Sequence, residues 1–160
     1  MCAAALTPYS APDRDWLVAA HGALYAEAEG FDATFPALVD DILRAFERDH
    51  DPRCEAGWIA RDGRRRLGSI FCVRSDDTTA KLRLFLLLPE ARGMGLGQHM
   101  LDHALGFARD AGYRRMTLWT HESHRAACAL YARNGFACRS ATPVHSFGVD
   151  LVEQHWDRAL

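Results

Sequence analysis

The stretch Leu86 to Leu101 reads LLLPEARGMGLGQHML, and it joins an apolar run to a helical pattern through Gly93, Gly95 and Gly97 at every second position. Glycines so spaced leave the connecting backbone almost bare, so that successive N–H groups can turn into one concavity. A helix that begins there adds its unsatisfied first-turn donors and the positive end of its dipole. The combination suits a phosphate or pyrophosphate, and Arg92 stands where a guanidinium can pair with a phosphate oxygen. The dinucleotide fingerprint GxGxxG fails, because Gln98 occupies the third position after Gly95, and no Gly-Lys-Ser/Thr follows to make a Walker loop. The spacing present is R-x-x-G-x-G, as Arg92, Gly95 and Gly97. Taken alone, the loop serves equally well as a turn that lets a helix pack closely on a strand.

Other side chains point less far. His99 and His103 stand at i, i+4, a spacing that can grip zinc, but no glutamate follows His99 and no third ligand suggests itself. An outer helix face is expected there, with no metal. The cysteines, Cys2, Cys54, Cys72, Cys128 and Cys138, are odd in number and scattered, which fits neither a disulfide framework nor a zinc knuckle. Idle thiols in a reducing cytoplasm are expected. Cys128 is the one to test for reactivity, although its neighbours carry no nucleophile signature. The run RDGRRR, Arg61 to Arg66, reads as a solvated hairpin loop.

These residues need elements to hold them. Residues 3–8 suggest a first strand. Asp13 suggests a cap for a helix that carries Trp16, Leu17, Ala20, Leu24, Tyr25 and Ala28 at helical spacing and stops at Gly30. A second helix starts near Thr34, carries the stripe Phe35, Leu38, Val39, Ile42, Leu43 and Phe46, and ends at Asp51 and Pro52. A hairpin follows, with Trp58 and Ile59 in one strand and Leu67 to Val73 in the next; Asp62 and Gly63 supply turn residues, and Arg64 to Arg66 lengthen the loop beyond two residues. After Ser75 to Thr79 turns the chain, Lys81 to Leu88 is too continuously apolar at its end for a surface strand and belongs in the centre of a sheet. Gly95 to about Asp110 is a helix, Met116 to Thr120 a strand, Ser123 to Asn134 a helix stopped by Gly135, and Phe136 to Ala141 and Val144 to Trp156 the last strands. The whole predicts one α/β domain over residues 1–160, with a mixed sheet of six to seven strands and about four helices.

Composition narrows the partners. With 49% apolar and 25% charged residues and a formal net charge of −2, the chain has no overall field for nucleic acid or acidic lipid. No apolar run approaches the length of a membrane span. The start, MCAAALTPYSAP, lacks a basic segment followed by an apolar one, so no secretory leader is expected and the cytoplasm is.

Three segments in sequence order, LLLPEARGMGLGQHML, MTLWT and AACALYARNGF, resemble the GNAT family of acyl-CoA-dependent N-acetyltransferases. The family pattern is a strand ending near V-x-P-E-x-R/Q-x-x-G-x-G/A, a later strand, and a helix ending A-x-x-x-Y-x-x-x-G-F. Ala127, Tyr131, Gly135 and Phe136 stand at that last spacing. The likeness runs from about Trp58 onward. HGALYAEAEGF and HSFGVDLVEQHW are similar, more narrowly, to acetyltransferase domains often fused behind MarR-type regulators; no DNA-binding module precedes them in this sequence.

The resemblance implies that Lys81–Leu88 and Met116–Thr120 splay apart at their C-terminal ends and take the pantetheine of acetyl-CoA between them. Backbone groups near Leu86 and Leu87 would pair with it, and the Leu87 N–H would steady the oxyanion. Arg92, Gly93, Met94, Gly95, Leu96, Gly97 and Gln98 would hold the pyrophosphate. Tyr131 would act as general acid toward the departing thiolate, since a phenol near pKa ~10 stays protonated beside a thiol near ~8.5; the bland alternative is a packed tyrosine with its hydroxyl satisfied by a neighbour. His124 takes the place of a frequent asparagine and would touch the cofactor backbone through one ring nitrogen, or merely start a helix. No base is fixed in the family: His121 and His145 are the candidates, and a relayed water would also suffice. Glu27 and Glu29 would line the acceptor side. Trp119 would lie in or beside the splay, core packing being its ordinary expectation. The implied activity is direct acetyl transfer to a primary amine of a small molecule or peptide, without metal. A non-catalytic acyl-CoA-binding regulatory domain is the alternative. A homodimer through the terminal strands is a further expectation.

Overall fold

The structure, a computed structural model, describes residues 4–160. Strands β1 (Ala5–Pro8), β2 (Ala56–Asp62), β3 (Arg65–Arg74), β4 (Thr79–Leu87), β5 (Arg115–His121), β6 (Ala137–Ser146) and β7 (Val149–Ala159) form one sheet in the order β1-β2-β3-β4-β5-β7-β6. Helices α1 (Arg14–Glu29), α2 (Thr34–Asp49), α3 (Leu96–Asp110) and α4 (Arg125–Arg133) flank it. The element order and the α/β class are those read from the sequence. The first strand begins at Ala5; residue 3, where the sequence reading starts it, lies outside the described residues.

Both faces of the central strands are covered, which explains their continuous apolar runs. Trp58, Ile70, Leu82, Met116 and Leu118 pack with Met100, Leu101 and Leu105 of α3 and Tyr131 of α4. On the other face Ile59, Phe71 and Leu86 pack with Leu17 of α1 and Val39 and Leu43 of α2.

Three local expectations are corrected. The β2–β3 turn holds two residues, Gly63 and Arg64, because Asp62 pairs with Arg65. What draws the arginines into the strands is Asp13: its buried carboxylate accepts from Arg61 Nη2 and, at 3.0 Å, from Arg66 Nε. Asp13 therefore does not cap α1; its other oxygen turns back to the Ser10 N–H at 3.0 Å. The break expected near Pro143 is absent, since β6 runs on to Ser146 and the chain reverses at Phe147 and Gly148, with φ of 55° and 79°. Pro143 is tolerated because β6 is an edge strand. Phe147 holds its unfavourable backbone against the rings of Phe31 and Phe35, 4.9 and 5.0 Å away.

The sheet is antiparallel except where β4 and β5 run parallel, and they pair only through Thr79–Arg115, Ala80–Met116 and Lys81–Thr117. Beyond Lys81, β4 stays with β3 while β5 follows β7. A bulge marks the departure: Ser69 pairs with Leu86 but Phe71 with Arg83, and Leu84 between them has φ of 48°.

Candidate active site

The turn after β4 is held open by backbone conformation. Gly93 and Gly95 have φ of 79° and 77°, a region that strains any residue with a Cβ. A Cβ on either would meet nothing within 4 Å, so these glycines set direction and do not admit a close neighbour. From Gly93 to Gln98 the N–H groups find no backbone acceptor among the described residues. They form a donor row that continues into the first turn of α3, the arrangement an anion requires.

The side chains around this row are committed in different ways. Arg92 folds back so that its Nε donates to the Leu87 carbonyl at 3.2 Å, and Met94 is exposed. The Gln98 carboxamide is engaged with Asn134 in both directions, at 2.7 and 2.9 Å, which ties α3 to the end of α4. Only its N–H is left for the loop. Leu86 is buried and Leu87 half-buried at the end of β4, so their side chains report packing.

Tyr131 lies under the splay with its ring among Phe85, Phe136 and Trp156. Burial, then the neighbouring Tyr25 and Cys128, push its phenol well above the usual range, and no side-chain hydrogen bond contributes. Among the described residues no neighbour satisfies its hydroxyl, as a purely packing role would require.

His121, at the end of β5, and His124, just before α4, face each other with ring centroids 5.2 Å apart. Burial is the largest influence on both and lowers both. His124 Nδ1 is 3.4 Å from Thr120 Oγ1, and Nε2 is 3.4 Å from Glu29 Oε1. That last geometry is not a hydrogen bond: His124 Nε2 and His121 Nδ1 are both sealed from solvent without a partner. Tyr25 completes the group, 5.0 Å from the His124 ring, and burial and Glu29 push its phenol up to about 12.

The remaining candidates lie apart. Glu27 is exposed on α1. His145 is exposed near the β6–β7 turn, where Nδ1 and Asp150 Oδ1 are 2.8 Å apart. Trp119, for which a core position was the ordinary expectation, is 52% exposed and lies against His155, because alternation along β5 sends Leu118 inward. The Cys128 thiol is raised by burial, which makes it a poor nucleophile. His103 stands edge-on to Trp58, and no group of three metal-ligating side chains occurs among the described residues. In sequence Tyr25 reads only as part of a helix stripe; its spacing of one turn before Glu29 is the one signal of the cluster. Nothing in the sequence marks the bulge at Leu84.

The sheet thus parts between its two parallel neighbours, with a donor row at the mouth of the gap and a buried tyrosine close by. The chain belongs to the acetyltransferase (GNAT) family, whose pattern residues 16–136 match. It is similar to a mycothiol acetyltransferase of Geodermatophilus obscurus, 34% identical over 59% of this chain and 32% of that protein. It is similar also to human N-acetyltransferase 8, 30% identical over 68% of this chain and 48% of that protein. The chain thus spans between a third and a half of the length of these curated relatives. Among solved structures, an acetyltransferase from Streptococcus agalactiae superposes with a TM-score of 0.79 at 25% identity, covering both chains fully. A GNAT family acetyltransferase from Elizabethkingia anophelis with acetyl-CoA bound superposes at 0.70 with 15% identity, covering 98% of each chain. No helix among the described residues is long and apolar enough to cross a membrane.

Proposed function

We propose that this chain moves an acetyl group from acetyl-CoA to the primary amine of a small molecule or peptide, by direct transfer. The observation that carries this reading is the row of unpartnered N–H groups from Gly93 to Gln98 at the mouth of the β4–β5 splay. Those donors suit the pyrophosphate, and Arg92 reaches it by leaving the Leu87 carbonyl. The end of β4 at Leu86 and Leu87 offers backbone to the pantetheine arm, and the Leu87 N–H is the donor assigned to the oxyanion. Acetyl-CoA supplies the activated acyl group; the chain supplies proximity, charge stabilisation and protons.

Tyr131 is the general acid in this reading. Its raised pKa keeps it protonated at neutral pH, and its hydroxyl is not tied to a neighbour. Glu29 stands on the acceptor side. Glu27, Trp119 and His145 are set outside the reading by their exposure. The narrower likeness to domains behind MarR-type regulators and a cytoplasmic setting belong to the same proposal and rest on the sequence alone; a homodimer rests on the family resemblance.

Calorimetry with acetyl-CoA, followed by thiol release on a panel of amines, tests it. Binding followed by release with at least one amine is expected. Binding without release from any amine would favour the non-catalytic alternative.

A further inference from the structure

We propose that Glu29 binds the ammonium of the acceptor and, with His124 behind it, takes that ammonium's proton. The inference rests on the acetyl-transfer reading above and identifies the base that reading lacks.

Glu29 is the last residue of α1, and its side chain is 14% exposed. One side of it faces His124, whose Nε2 lies 3.4 Å away, sealed and unpartnered. Its other side lines a cleft of about 480 Å³ with Glu122, Ser123, Arg125, Asp150 and Val152. Glu29 both lines the cleft and stands against the half-buried His124 imidazole. Three carboxylates against one guanidinium favour a cation in that cleft.

The buried nitrogen is the second, independent sign. An imidazole nitrogen shut away without a partner is unfavourable, and here it stands against a carboxylate. A small rotation of either group closes the pair into a hydrogen bond, so that a proton received by Glu29 has a place to go. The groups facing His124 are Tyr25 and Glu29 from α1, Thr120 and His121 from β5, and Arg92 from the glycine turn, with Glu153 of β7 beyond His121. Burial, His121 and Arg92 favour the neutral ring, and Glu29 alone favours the charged one. Removing the Glu29 charge must therefore move the His124 titration to lower pH.

The step balances as follows. An alkylammonium, with a pKa near ~10, gives one proton to the Glu29–His124 pair and gains a free lone pair. That lone pair forms the C–N bond at the thioester carbonyl, and the C–S bond breaks. The sulfur takes the proton of Tyr131, the second nitrogen proton restores the phenol, and the first proton leaves through Glu29 to water in the cleft. Glu29, which touches the substrate, is the catalytic residue; His124 is a positioning residue that acts through it.

The test uses the full chain as wild type, Glu29→Gln, Glu29→Asp and His124→Asn. Histidine ring NMR follows the His124 titration without substrate. Calorimetry reads acetyl-CoA affinity, and thiol release reads activity with spermidine, kanamycin and an alanine-led tetrapeptide. Glu29→Gln is expected to shift the His124 midpoint down, to lower kcat/KM about 100-fold, and to move the acid limb of the rate profile with that midpoint. His124→Asn removes that limb, Glu29→Asp recovers part of the rate, and both Glu29 variants keep their acetyl-CoA affinity. An unmoved NMR midpoint, an acid limb unchanged in His124→Asn, or affinity that falls in step with activity in the Glu29 variants overturns the proposal. A wild-type chain that binds no acetyl-CoA, or acetylates none of the three amines, overturns the acetyl-transfer reading and this one with it; an NMR shift that persists there locates the failure in that reading and not in the pair.

Discussion

The Ser69 hydroxyl donates a 2.7 Å hydrogen bond to the carbonyl oxygen of Leu84, the one β4 residue with left-handed backbone. Ser69 is fully buried, so no water can replace it. A strained leucine and a buried serine thus fix the point where β4 bends away from β5. Ser69→Ala is expected to cost about 1–2 kcal/mol, read as a lower urea midpoint, and to weaken acetyl-CoA binding as β4 relaxes. Gly68→Ala, whose Cβ would stand 2.2 Å from the Leu86 carbonyl oxygen, should cost more.

Tyr131→Phe separates catalysis from packing. The phenol makes no side-chain hydrogen bond, so its loss removes no partner and stability should hold or rise slightly. Turnover should fall about 100-fold, while acetyl-CoA affinity stays within twofold by calorimetry. A variant with full turnover would reduce Tyr131 to packing.

The glycines of the turn are not equivalent. Gly95→Ala forces a Cβ onto φ of 77° and should cost about 1 kcal/mol. It should also turn the donor row and weaken acetyl-CoA binding at least tenfold. Gly97 lies within α3, where a Cβ would make ordinary contact with Leu130 and Leu87 at 3.7 and 3.8 Å. Gly97→Ala should therefore add up to about 1 kcal/mol of stability through helix propensity, read as a higher thermal midpoint.

The central strands and α3 were legible in the sequence because period, length and stop signals agree there. Lys81 to Leu88 reads as a central strand from its composition, and β4 is central, with Leu82 and Leu86 buried and the residues between them half-buried. The last hairpin was misplaced because Pro143 looks like a breaker when its edge position is unknown, and because Phe147 is an unlikely residue for a left-handed turn without Phe31 and Phe35 beside it. Asp13 looks like a local cap in sequence, but one carboxylate oxygen turns back to Ser10 and the other takes partners about fifty residues away, at Arg61 and Arg66. The glycine turn and Tyr131 stood out by spacing; the meeting of Glu29 with His124 is tertiary, and no periodicity encodes it.

His21 predicts an acid-labile fold. It is completely buried, with Nδ1 2.8 Å from the Leu17 carbonyl oxygen, and burial lowers its pKa to about 4. The unfolded chain then binds a proton that the folded chain refuses. Stability contributed by the neutral ring is complete above pH 6.5 and declines as pH falls from 6.5 toward 4, by roughly 3 kcal/mol in all. Urea melts across that range should show the loss, and His21→Gln should flatten it. Asp13, lowered by Ser10, Arg61 and Arg66 against the opposing effect of burial, adds a separate loss at lower pH.

Titration of acetyl-CoA into the wild-type chain and into Gly95→Ala, followed by calorimetry, addresses the donor row itself. Saturable heat with a dissociation constant below about 1 mM is expected for the wild type, and at least tenfold weaker binding for the variant. Absence of heat at millimolar acetyl-CoA, or equal affinity in the two chains, would strip the glycine turn of its role as the anion site.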